Sequence, residues 1–121
     1  MTLEECYRAV GGNLAQVQRR LPSMALIERF DAKYLSDDSY AQLCRAMEAG
    51  QREEAFRAAH TLKGVCANLG FDRLQASASQ LTEALRPEAA AIPAGAQALL
   101  AQVQRDYAET TGAIRVYLGK N

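Results

Sequence analysis

One imidazole stands out among the side chains that could do chemistry: His60 is the only histidine in 121 residues. A neutral imidazole offers a nucleophilic lone pair near physiological pH, so it can accept a group, take a proton or ligate a metal. Three residues on, Lys63 puts a cation within helical reach. That charge can stabilise negative charge on a group arriving at the ring. Four residues on stands Gly64, which costs a helix interior about 0.5–1 kcal/mol relative to alanine. A mid-helix glycine beside an exposed histidine suggests that another molecule must come close there.

Other chemistries find less support. The cysteines, Cys6, Cys44 and Cys66, are odd in number and far apart, with no CxxC pair. They read as reduced thiols of a cytoplasmic protein rather than a disulfide framework or zinc knuckle. No metal site is expected at His60, because a second histidine is missing and Cys66 falls on the opposite side of the helix. A serine–histidine hydrolase would need an orienting carboxylate and an oxyanion hole near His60, and neither is evident. The chain has no Walker A motif and no kinase-type glycine-rich loop, so it is not expected to be an ATP-dependent kinase or other enzyme.

The element that must position His60 is a helix spanning residues 51–69. At about 100° per residue, Ala55, Ala59, Leu62, Cys66 and Leu69 cluster within about 40° of one direction, which must face the core. His60 falls about 140° from that direction and should point to solvent. Glu53, Phe56, Lys63, Gly64 and Ala67 share its side. Phe56, one turn before His60, either rims a docking surface or covers the seam with a neighbouring helix. Arg57 reads either as a solvated charge or as a contact for an acidic partner.

The rest of the chain is helical in pattern, with no strand-like alternation. Thr2 and Glu5 have capping-box spacing ahead of Leu3, Cys6, Tyr7 and Val10. Gly11-Gly12 stops that helix, and a short piece through Leu14, Val17 and Leu21 ends at Pro22. Ser23 can cap a helix in which Ile27, Phe30 and Tyr34 recur. Ser36-Asp37-Asp38-Ser39 is a break, followed by Tyr40, Leu43, Cys44 and Met47 and closed by Gly50. After Gly70, Asp72 and Gln75 offer a second capping box before Leu74, Ala78, Leu81 and Leu85. Residues 87–95 form a connector containing Pro93. Leu100, Val103, Tyr107, Thr110, Ile114 and Tyr117 then alternate steps of three and four, the seam of a packed bundle. The expected fold is all-α, a single domain over residues 1–121, with a helical cap at 1–22 and an antiparallel four-helix bundle at 23–119.

The run Ala59-His60-Thr61-Leu62-Lys63-Gly64, followed by Asn68-Leu69-Gly70, resembles the signature of the histidine phosphotransfer (HPt) family. Met47-Glu48-Ala49-Gly50 extends the likeness, which runs from about Ser23 to Arg86, and the 2–12 segment is similar to the cap of many such domains. Val65 departs from it, standing where the family often has serine or another small residue. The resemblance implies an exposed phosphoacceptor on a four-helix bundle, exchanging a phosphoryl group with the aspartate of a response-regulator receiver domain. His60 would then be the nucleophile and Lys63 its electrostatic support. Phe56, Arg57, Gly64 and Ala67 would meet the receiver or a hybrid histidine kinase. No cofactor is implied for this chain, since Mg²⁺ belongs to the receiver. An alternative is a pseudo-HPt adaptor, which binds a receiver without accepting phosphate, but its usual mark, a missing histidine, is absent here. A kinase dimerisation domain would have an acidic residue where this chain has Thr61.

Charge and hydropathy agree with recognition by shape and a few local charges. Lys plus Arg equals Asp plus Glu at 14 each, which gives no electrostatic case for nucleic acid or an anionic membrane. No apolar run approaches the roughly 18 residues a membrane helix needs. The expected state is a cytoplasmic monomer.

Overall fold

In the computed structural model, which describes residues 1–119, the described residues form seven helices and no strand. These are α1 (Leu3–Ala9), α2 (Leu14–Arg20), α3 (Met24–Tyr34), α4 (Ser39–Glu48), α5 (Arg52–Leu69), α6 (Asp72–Ala84) and α7 (Ala96–Leu118). Helix starts follow the local chemistry of the chain. Thr2 and Glu5 form the expected reciprocal capping box, and Asn13 and Ser23 cap α2 and α3 by accepting from Gln16 N and Leu26 N. Each satisfies an amide that the helix itself leaves without a partner.

α4 to α7 are antiparallel neighbours. Contacts between α4 and α7 run in opposite directions along the two helices. Tyr40 stacks on Tyr107 with centroids 3.7 Å apart, and Cys44, further along α4, faces Gln104, further back on α7. Arg52, at the start of α5, donates to the Leu85 carbonyl at the end of α6, 2.6 Å away. Arg73, at the start of α6, pairs with Glu109 late in α7 at 2.8 Å. The turns between α4 and α5 and between α5 and α6 are tight because Gly50 and Gly70 take φ of 71° and 69°, a region that L side chains enter only at a cost.

The core is one cluster. Leu43 and Met47 of α4 meet Ala55, Ala59, Leu62 and Cys66 of α5, with Leu74, Ala78, Leu81, Val103 and Ile114 from the other two helices. The alanines of α5 let its neighbours come close, and the leucines fill the space between. α1 to α3 gather at the α5–α6 turn. Asn13 N donates to the Gly70 carbonyl at 2.8 Å, the Tyr7 hydroxyl reaches the Leu69 carbonyl at 2.8 Å, and Phe71 packs against both Tyr7 and Tyr34.

Two expectations from the sequence need correction. Phe30 does not continue the inward stripe of α3: it is exposed, and the buried positions are Ile27, Asp31 and Tyr34. A carboxyl can take the core position because Tyr7 supplies a hydrogen bond there. The Asp72–Gln75 capping box does not form either. Phe71 occupies the N-cap position, driven by burial of its ring, and Asp72 becomes the first helical residue.

Candidate functional site

α5 is fixed at both ends before any chemistry is considered. Glu53 and Glu54 lie in its first turn, where the positive end of the helix dipole favours anions. Arg52 ties that turn to α6. At the other end the last carbonyls of the helix, which have no intrahelical donors, are claimed by the cap. Arg20 of α2 donates to Ala67 O at 3.1 Å and Asn68 O at 2.8 Å, and Tyr7 donates to Leu69 O. The helix between these clamps is a rigid mount.

The inward face of that mount is Ala55, Ala58, Ala59, Leu62, Cys66 and Leu69, all buried. This is the face the wheel predicted, with Ala58 added. His60 points the other way and is exposed. Phe56 is half-buried one turn before it, with ring centroids 6.0 Å apart and planes 13° from parallel. Lys63 is also half-buried. On the next helix, the hydrogen bond and charge of Arg86, with a smaller contribution from the Lys63 charge, hold the Glu83 carboxyl of α6 below the usual carboxylate range. Glu83 is itself gripped by Arg86 at 2.6 and 2.9 Å.

Gly64 is exposed, and a Cβ placed there would meet nothing within 4 Å. No internal packing demands a glycine at this position. Arg57 is exposed and lies 3.8 Å from Glu53 and 3.9 Å from Glu54, so it enters the site partly neutralised. Ala67 is half-buried beside the Arg20 clamp. On the α4 side of His60 an open groove of about 550 Å³ runs between α4 and α5, with Arg45, Gln42, Glu54, Arg57 and Thr61 on its walls. The Thr61 hydroxyl donates back to Arg57 O at 2.9 Å and is not directed at the imidazole.

Of the three cysteines, Cys6 and Cys66 are buried and Cys44 is half-buried on α4. Burial pushes the Cys66 thiol up to about 12 and the Cys6 thiol up to about 11, so both stay protonated and unreactive. Cys66 lies in the core while His60 lies outside it, so the two share no ligand-binding face. The exposed chemistry of α5 is thus one imidazole, a nearby cation and an open approach over a glycine.

A family model described as "Hpt domain" matches residues 35–110, more than half of the chain, and the matched stretch contains the whole of α4, α5 and α6. The chain belongs to the Hpt family. Hpt domains are phosphocarriers of two-component phosphorelays, not kinases, and they interact with receiver domains and kinases. No curated protein and no solved structure shows a significant match to the chain. The all-helical bundle is the fold expected of an Hpt domain. No helix among the described residues is long and apolar enough to cross a membrane.

Proposed function

We propose that this Hpt domain accepts a phosphoryl group on His60 from the phospho-aspartate of a receiver domain and returns it to an aspartate of the same kind. The observation that carries the reading is the placement of the chain's one histidine: exposed, midway along a helix clamped at both ends, with open space over Gly64 one turn away. An acyl phosphate is already activated, so the chain must supply only a positioned nucleophile and some charge stabilisation. His60 supplies the lone pair. Lys63 stabilises charge on the phosphoryl oxygens as the group passes. Arg57, Gly64 and Ala67 form the surface on which the receiver sits, and the receiver brings its own Mg²⁺ and acidic pocket.

The test is to mix the chain with a phosphorylated receiver and follow acid-labile phosphate on the chain. His60→Gln should fold with an unchanged far-UV spectrum, bind the receiver and take no label. Label retained by that variant would falsify the assignment. Binding by the wild-type chain without any label would instead mark it as an adaptor.

A further inference from the structure

We infer that Phe56 is a positioning residue for His60, holding the imidazole plane so that a ring nitrogen meets the incoming phosphorus edge-on. The inference rests on the phosphotransfer reading and adds to it a part of the machinery. Its basis is the near-parallel pair on α5: centroids 6.0 Å apart and planes 13° from parallel, which is an offset stack. Phe56 is half-buried and packed against the core cluster, so its ring is anchored. His60 is exposed, and among the described residues no hydrogen bond orients its imidazole. A histidine in this state lacks the carboxylate or carbonyl partner that usually fixes a catalytic ring.

Left alone on a helix, such a ring would spread over two χ1 wells and a roughly two-fold χ2, about four orientations. A neighbour lying along the ring face restricts that spread without obstructing attack, because the nitrogen lone pair lies in the ring plane and leaves by the edge. In the transfer step the lone pair of the unprotonated ring nitrogen forms the N–P bond as the P–O bond to the receiver's aspartate breaks. The carboxylate departs with that bonding pair. The proton on the second ring nitrogen stays there until it exchanges with water. A face-on approach would present no electron pair to phosphorus, so orientation enters the rate directly.

Phe56→Leu keeps a core-filling group and removes the flat face, whereas Phe56→Tyr keeps both. Phosphoryl transfer from a charged receiver is measured against receiver concentration, separating the saturating rate from the half-saturation concentration. The expected result for Phe56→Leu is a saturating rate lowered about twofold, because a ring on the imidazole face selects between the χ1 wells but not between the two χ2 orientations, which share one plane, with half-saturation little changed and the rate restored in Phe56→Tyr. Proton NMR of the unphosphorylated chain gives a second readout. The His60 ring protons should be displaced by the Phe56 ring current and return to ordinary positions in Phe56→Leu. Should circular dichroism show that the leucine variant unfolds, Phe56→Met is read in the same way.

A wild-type saturating rate in the folded variant overturns the inference, as does an effect confined to half-saturation, which would assign Phe56 to docking. Ring-proton resonances that do not move overturn it too. If the wild-type chain accepts no phosphate at all, the phosphotransfer reading fails, and the NMR comparison still decides whether Phe56 orients His60.

Discussion

Replacing the buried Asp31 by asparagine should change how the stability of this domain depends on pH. Four oxygens meet where α1, α3 and α5 join. The Tyr7 hydroxyl lies 2.8 Å from Leu69 O and 3.1 and 3.2 Å from the two carboxyl oxygens of Asp31. Tyr7 has one proton to give. With Asp31 ionised, it must choose between the carboxylate and the carbonyl. With Asp31 protonated, the acid donates to Tyr7 and Tyr7 donates to Leu69, and both bonds form. Burial pushes the Asp31 carboxyl up to about 7, the Tyr7 bond opposes that rise, and Glu28 on the same helix adds to it. From the other elements, Cys6 and Tyr7 of α1 and Tyr117 of α7 feel the Asp31 charge, and none of these is a cation. An unfolded aspartate titrates near 3.9, so between about pH 4 and pH 7 the folded chain holds a proton that the unfolded chain has released. Stability from this group is therefore full below pH 4 and is lost as pH rises towards 7. The slope is up to about 1.4 kcal/mol per pH unit, and the whole interval amounts to about 4 kcal/mol, a large part of the 5–15 kcal/mol typical of a domain. Asp31→Asn keeps a neutral donor and acceptor at every pH. Urea unfolding followed by circular dichroism at pH 5, 6, 7 and 8 should show the wild type weakening relative to the variant across the series. Parallel stability curves for the two proteins would refute the argument.

Two further outcomes follow from the surface of α5. Lys63→Ala should slow receiver-to-His60 transfer clearly while leaving the thermal midpoint close to wild type, because a partly exposed charge contributes little to folding; a large loss of midpoint with unchanged transfer would make the lysine structural. Gly64→Ala and Gly112→Ala make a matched pair, since both glycines are exposed within helices and have open space where a Cβ would go. Each should stabilise by up to about 1 kcal/mol in thermal melts. Gly64→Gln should block transfer and Gly112→Gln should not, and equal transfer by the two glutamine variants would show that the receiver does not approach over Gly64.

The inward face of α5 was legible in the sequence because an amphipathic helix repeats its apolar residues at a period set by backbone geometry, and Ala55, Ala59, Leu62, Cys66 and Leu69 obey that period. The same arithmetic placed His60 outside, and local rules found the Thr2 box, the Ser23 cap and the Gly50 and Gly70 turns. These features involve residues within about one helical turn of one another, so the sequence contains both partners. Period counting failed where a long-range partner changed the cost of burial. Asp31 is polar and reads as solvent-facing, yet Tyr7, 24 residues earlier, makes its burial tolerable, and Phe30 is turned outward as a result. Phe71 displaced Asp72 from the cap position because its ring found Tyr7 and Tyr34 to pack against. At the site itself the sequence supplied the residue types on α5. Only the tertiary structure decided that Arg20 clamps its end and that the Phe56 ring lies along His60. Each depends on where a side chain points or on which helices become neighbours, and spacing along one helix specifies neither.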